Sequence, residues 1–167
     1  MYDILFQKGK IGNVELKNRL VMSPMGSNLA ELDGSCGDAM IAYYEERAKG
    51  GCGLIMPEIC RVNDATGAGS FRQLSVTKDR HIAGLSKLAA AIHKHGSKIF
   101  IQLHHPGREG VSRLIGGQPC VSASDRVCLY SQQPTRALTH DEVLELVEQF
   151  SDGAVRCQKA GIDGIEL

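Results

Sequence analysis

The chain has 167 residues, enough for one domain with a sizeable core, since domains of about 100–150 residues are commonest. Its 19 Lys+Arg balance 19 Asp+Glu, so there is no surplus positive charge to neutralise a run of phosphates, and nucleic acid is not expected as a partner. No segment approaches the roughly 20 apolar residues of a membrane span, and Met1–Phe6 lacks the basic and apolar regions of a signal peptide, so we expect a cytoplasmic protein with no membrane partner.

In chain order, Ile11-Gly12-Asn13-Val14-Glu15-Leu16 alternates around a Gly-Asn turn and predicts a short β-hairpin ahead of the main fold. Leu20–Met25 reads as a first buried strand, with Pro24 at its end, where a missing N–H is tolerated. Asp38 opens a helix that runs to Lys49 and stops at Gly50-Gly51, because glycine supplies a left-handed C-cap. Gly53–Met56 is a second strand, extendable to Ile59. Helix two spans about Asp79 to His95, with Ile82, Leu85, Leu88, Ala89 and Ile92 on one stripe and Gly96 as its stop. Lys98–Leu103 is a third strand. Thr139 and Glu142 form a capping box for helix three, whose stripe of Val143, Leu146, Val147 and Phe150 faces the core; it ends at Ala160-Gly161. Gly164–Leu167 begins a fourth strand.

Strands alternating with helices imply a parallel sheet with right-handed crossovers. A dinucleotide-binding sheet should carry G-x-G-x-x-G after its first strand, where this chain has Ser23-Pro24-Met25-Gly26-Ser27-Asn28. The segments after strands two and three, roughly 61–78 and 105–138, are long, as barrel enzymes require of site-building loops; the second is long enough to be functional, mobile or both. The expected fold class is therefore α/β: the N-terminal half, about strands 1 to 4, of a (β/α)₈ TIM barrel with a short N-terminal β-hairpin. A complete barrel takes about 250 residues. Ending mid-strand at Ile165-Glu166-Leu167 reads as truncation, so we expect residues 1–167 to be the N-terminal portion of a longer barrel, cut within strand 4. The remainder of that barrel is then a partner of this chain, and we expect the parent protein to be a homo-oligomer.

Six cysteines (Cys36, Cys52, Cys60, Cys120, Cys128 and Cys157) are scattered without a C-x-x-C pair, which argues for free thiols and against a zinc or iron–sulfur site within the chain. His104 and His105 are adjacent on a strand and point to opposite faces, and His93 and His95 are two apart on a helix, so neither pair can readily share an ion. No metal is expected.

Several segments carry a family resemblance in the right order. Leu5-Phe6, Ile11-Gly12, Leu16-Lys17-Asn18-Arg19 and Pro24-Met25 resemble the opening of the Old Yellow Enzyme family of FMN-dependent ene-reductases. Gln102-Leu103-His104-His105-Pro106-Gly107-Arg108 is similar to its Q-L-x-H-x-G-R signature, Ser122-Ala123-Ser124 to its P-S-A-S segment, and Ala160–Leu167 to its approach to strand four. Met25-Gly26-Ser27-Asn28-Leu29 is similar to the 2-enoate reductase and 2,4-dienoyl-CoA reductase branch. There the barrel is followed by a [4Fe-4S] cluster and an FAD/NAD(P)H-binding region, which would lie outside this chain. Where other branches carry Cys or Thr just after Pro-Met, this chain has Gly26.

The resemblance implies an FMN-dependent oxidoreductase that uses NAD(P)H to reduce the activated C=C bond of a small-molecule enoate, enone or dienoyl thioester, with hydride passing from flavin N5. It assigns Pro24, Met25 and Gly26 to flavin contact; the residues alone read equally as a strand end with a tight turn. Gln102 offers both a donor and an acceptor for the flavin pyrimidine edge. Cys60 matches a position where backbone lies against the ring, and its thiol reads equally as buried and inert. Arg108 either counters an anionic flavin or substrate or ties down its loop. The carbonyl-binding pair and the phosphate grip of the family fall beyond Leu167, and none of Tyr43, Tyr44 or Tyr130 matches its proton donor, so no catalytic residue is assigned here and the chain alone is expected to be inactive. Two alternatives stay open: a flavin-dependent amine dehydrogenase on the same barrel, and a catalytically empty half-barrel that serves as an assembly module.

Overall fold

The first reversal of the chain falls at Gly12, whose φ of 55° glycine adopts without the steric cost that a Cβ brings. It joins β1 (Gly9–Ile11) to β2 (Val14–Leu16) in antiparallel register, the expected hairpin. The computed structural model describes residues 2–167. After the hairpin come β3 (Val21–Met22), α1 (Asp38–Lys49), β4 (Leu54–Ile55), β5 (Cys60–Arg61), α2 (His81–His93) and β6 (Lys98–His104). They are followed by β7 (Cys120–Ser122), β8 (Thr135–Ala137), α3 (His140–Lys159) and β9 (Gly164–Glu166).

The strand order decides the architecture. β3 pairs with β4, β4 and β5 both pair with β6, and β6 pairs with β9, all in parallel. Each new strand adds on the same side in chain order, with no reversal of the kind that marks a doubly wound sheet. The three helices lie on one face: residues of α1 (Met40, Tyr44), α2 (Leu85, Leu88, Ile92) and α3 (Cys157) form one core with Ile55, Ile99, Ile101 and Leu103 of the strands. At about 1.5–3 kcal/mol for each fully buried aliphatic side chain, this layer is the main stabilising term. The opposite, concave face carries a small cluster of Leu16, Leu54 and Phe100, so the hairpin plugs the N-terminal end of the interior. This is the first half of a barrel wall, one layer of helices over four strands.

Three elements differ from expectation. Strand two is split into β4 and β5, because Pro57 has no N–H for the ladder and the Glu58 N–H donates instead to Tyr44 Oη at 2.9 Å. Strand one keeps only Val21–Met22 in register with its neighbour, shorter than the Leu20–Met25 read from the sequence. The stripe of α3 is also rotated: Leu146 and Phe150 pack on the core with Gly153 and Cys157 buried, whereas Val143 and Val147 are exposed. The capping box at Thr139 and Glu142 is present as read. Gly51, at φ 101°, supplies the left-handed stop of α1, whereas Gly50 stays right-handed. The long segment after β6 has structure of its own, with two 3-10 turns and the parallel pair β7–β8. Among the described residues, no helix is long and apolar enough to cross a membrane.

Candidate active site

Barrel sites form where the C-terminal ends of the parallel strands meet. Alternation along β6 sorts its side chains: Ile99, Ile101 and Leu103 pack in the helix-side core, so Phe100, Gln102 and His104 face the interior. Phe100 closes the bottom of that interior. Gln102 and His104 therefore stand one and two steps nearer its mouth. The Gln102 carboxamide makes no hydrogen bond within the protein among the described residues, so its donor and acceptor are both free for a ligand.

β9 adds a second wall. Gly164 lies opposite Phe100, whose ring would come within 2.7 Å of any Cβ there, so this position faces the interior and a larger residue would have to displace that ring. Two residues on, Glu166 is in register with Gln102 and shares its side of the sheet. Glu166 Oε2 and His104 Nδ1 are both sealed from solvent and have no hydrogen-bond partner. Unpaired buried polar atoms are costly, and native structures keep few of them without a reason. Burial also lowers the His104 pKa, favouring the neutral imidazole.

At the end of β3, Pro24 is half-buried and Met25 and Gly26 are exposed. Nothing lies within 4 Å of where a Gly26 Cβ would be, so a flat ring can rest against this backbone. Cys60 is different. Its side chain is fully buried in the helix-side core with Leu103 and Cys157, and burial raises its thiol pKa well above the ordinary range. Its backbone is sealed from solvent as well, so Cys60 presents no free surface to a ligand here. Arg108 is exposed on a 3-10 turn, and its carbonyl accepts from Ser131 Oγ at 3.2 Å, which ties two parts of the long loop together.

His104 and His105 divide as strand geometry requires. His105 Nδ1 accepts from Gly107 N at 3.1 Å, which leaves Nε2–H to donate to Thr66 Oγ1 at 3.0 Å. Thr66 donates onward to Asn63 Oδ1, and Asn63 to Gln149 Oε1 of α3. Burial, with His104 alongside, pushes the His105 pKa down to about 4. It is a neutral strut between the loops after β5 and β6. A cavity of about 180 Å³ beside it, lined by Thr66, Arg136 and Gln149 among others, includes none of Pro24, Met25, Gly26 or Gln102.

Sequence reading missed Glu58. It is 1% exposed, and its carboxylate accepts from Ser27 N, Ser27 Oγ and Asn28 N at one oxygen and from Leu74 N at the other. A carboxylate in the apolar run Leu54–Ile59 was the available signal, because buried charge is rare unless it is well partnered.

Comparison with known proteins settles the kinship of this constellation. A family model described as the NADH:flavin oxidoreductase / NADH oxidase family matches residues 4–167. The chain belongs to that family. It is 42% identical over 163 residues to an NADH oxidase of Thermoanaerobacter brockii, covering 98% of this chain and 25% of the relative. It is 38% identical over 166 residues to an NADH:acrylate oxidoreductase of Vibrio harveyi, covering 99% and 16%. Among solved structures, an old yellow enzyme homologue from Zymomonas mobilis superposes with a TM-score of 0.85 at 29% identity, covering 96% of this chain and 47% of that one. The chain thus spans a quarter or less of the length of these curated relatives and about half of the structural neighbour, and corresponds to the N-terminal part of its barrel.

Proposed function

We propose that the protein carrying this chain is an FMN-dependent oxidoreductase that uses NAD(P)H to reduce an activated C=C bond, and that residues 1–167 form the ring-contacting half of its flavin site. The observation that carries this reading is the inward Gln102, its carboxamide unpaired, on a wall with the open backbone at Gly26. Bound FMN would supply two-electron hydride chemistry that no side chain of this chain provides. Gln102 orients the ring by donating and accepting at its polar edge. Pro24, Met25 and Gly26 support the ring with backbone, and Cys60, itself sealed in the outer core, backs the wall behind it. Phe100, Leu54 and Leu16 seal the interior beneath the site from water.

A 2-enoate or dienoyl thioester is the proposed substrate class. The relative named for acrylate supports it, because acrylate is itself an activated alkene. The NADH oxidase relative is about four times the length of this chain, whereas the old yellow enzyme homologue is about twice its length. That excess leaves room for the FAD and [4Fe-4S] parts proposed to lie outside this chain. A homo-oligomeric, cytoplasmic parent protein completes the proposal.

The test is anaerobic half-reactions on the flavin-loaded protein. NADH or NADPH should bleach the flavin, and a 2-enoate or its thioester should restore the colour. Bleaching by a secondary or tertiary methylamine in place of NAD(P)H would overturn the reading in favour of an amine dehydrogenase.

A further inference from the structure

We propose that Glu58 is a positioning residue for the flavin site, holding the segment after β3 in its ring-facing shape and placing a negative charge behind it. This inference rests on the flavin reading of Pro24–Gly26 given above.

Glu58 stands in the gap between β4 and β5 and joins three segments. Its Oε2 accepts from Ser27 N at 2.6 Å, Ser27 Oγ at 2.8 Å and Asn28 N at 2.7 Å. Its Oε1 accepts from Leu74 N at 2.8 Å, and its own N–H donates to Tyr44 Oη. Among the described residues, no Lys, Arg or His forms an ion pair with it. A carboxylate buried without a cation is costly, and here four donors offset that cost.

The consequence reaches the site through the backbone. The amides of Ser27 and Asn28 turn toward Glu58 and away from the interior, which leaves Met25 and Gly26 open on the other side. Asn28 is held at a φ of 54°, in the left-handed region, so the segment is kept in this shape by its partner. The charge matters separately. Reduction adds negative charge to the flavin, and a buried carboxylate behind it disfavours that change through a medium that screens poorly. Glu58 therefore lowers the flavin's two-electron potential.

Gln is the near-isosteric probe. Its amide has one acceptor oxygen and one NH₂, so whichever way it turns, the NH₂ confronts either the Leu74 N–H or those of Ser27 and Asn28. In the flavin-loaded protein, Glu58→Gln should weaken binding of oxidised FMN about tenfold, the effect of losing one buried, charge-assisted bond. It should also raise the affinity ratio of reduced to oxidised FMN about tenfold, read as a midpoint rise of about 30 mV. Ser27→Ala removes one donor and leaves the charge in place, so it should loosen FMN about threefold without raising the midpoint. It also tests the positioning role if Glu58→Gln does not fold.

A yellow wild type whose FMN affinity and midpoint are unchanged by Glu58→Gln overturns the role of Glu58 alone, as does unchanged FMN affinity in Ser27→Ala. A midpoint rise in Ser27→Ala overturns the charge assignment. A wild-type full protein that binds no FMN overturns the flavin reading, and this inference with it.

Discussion

At the scale of single residues, the interior wall is set by which side chains are left without partners. The Gln102 carboxamide makes no hydrogen bond among the described residues, so its removal should cost binding and leave folding alone. Gln102→Ala in the full protein should raise the FMN dissociation constant at least about tenfold, or about 1.4 kcal/mol. Flavin content after dialysis measures this, and unchanged occupancy would remove Gln102 from the site. His105 makes a second prediction. Burial holds its pKa at about 4, below the ordinary imidazole value of 6.5, so between those values the unfolded chain takes up a proton that the folded chain refuses. Its contribution to stability is therefore full above pH 6.5 and declines as pH falls toward 4. His104 shifts in the same direction. Urea unfolding at pH 7 and pH 5 should show a lower midpoint at pH 5, and His105→Gln should reduce that difference. An identical pH dependence in the variant would count against the assignment.

At the scale of elements, α3 shows how one missing side chain sets a packing distance. A Cβ on Gly153 would lie 3.2 Å from both Val62 Cγ1 and Val76 Cγ1, so the helix rests on the strand side of the core through its own backbone. Gly153→Val should push α3 outward and cost about 1–3 kcal/mol by overpacking, seen as a lower urea midpoint; an unchanged midpoint would show that the layer can give. At the other end of α3, Thr139 Oγ1 accepts from Glu142 N at 3.3 Å, and Glu142 accepts in return from Thr139 N at 2.8 Å. Thr139→Ala should cost about 1 kcal/mol, with early exchange confined to the first turn of the helix as the check. Arg136 adds to this corner by pairing with both Glu142 oxygens and, with the Thr139 N–H, holds the Glu142 pKa down to about 2.

At the scale of the whole molecule, four strands make a wall with an open interior. Val21 is 46% exposed on the concave side, and among the described residues β9 has no partner beyond β6. On the outer side, Val155 and Ile165 border a groove lined by Ala154, Cys157 and Ile162, where a further βα unit of a barrel would pack. Residues 1–167 alone should therefore bind FMN weakly, because Gln102 and the backbone after β3 are only part of a cradle. Fluorescence titration should show no saturable, stoichiometric binding at micromolar FMN, and a chain extended through the remaining barrel strands should restore it. Tight binding by residues 1–167 would overturn this.

Much of this molecule was legible in its sequence because it is local. The 3.6-residue period located α2 and α3, and the Asp38 start and Gly50-Gly51 stop located α1, to within about two residues; the Gly12 turn marked the hairpin and the Thr139–Glu142 spacing the cap. Periodicity also placed Gln102 on a strand, and the ordered motifs named the family. The rest depended on neighbours far away in the chain. Pro57 marks the break in strand two locally, but what occupies the gap does not follow from it: Glu58 finds Tyr44 of α1 and the amides of residues 27, 28 and 74, contacts that no local pattern encodes. Val143 and Val147 are apolar at helical spacing yet exposed, because the face a helix buries is chosen by the sheet beneath it. Cys60 and Gln102 both sit on strands, and only the position of the helix layer shows that the first points into the outer core and the second into the barrel. The sequence by itself determined which segments are helix and strand, through backbone propensity and period. The tertiary structure decided which side chains face the site, because facing is a property of the packed sheet.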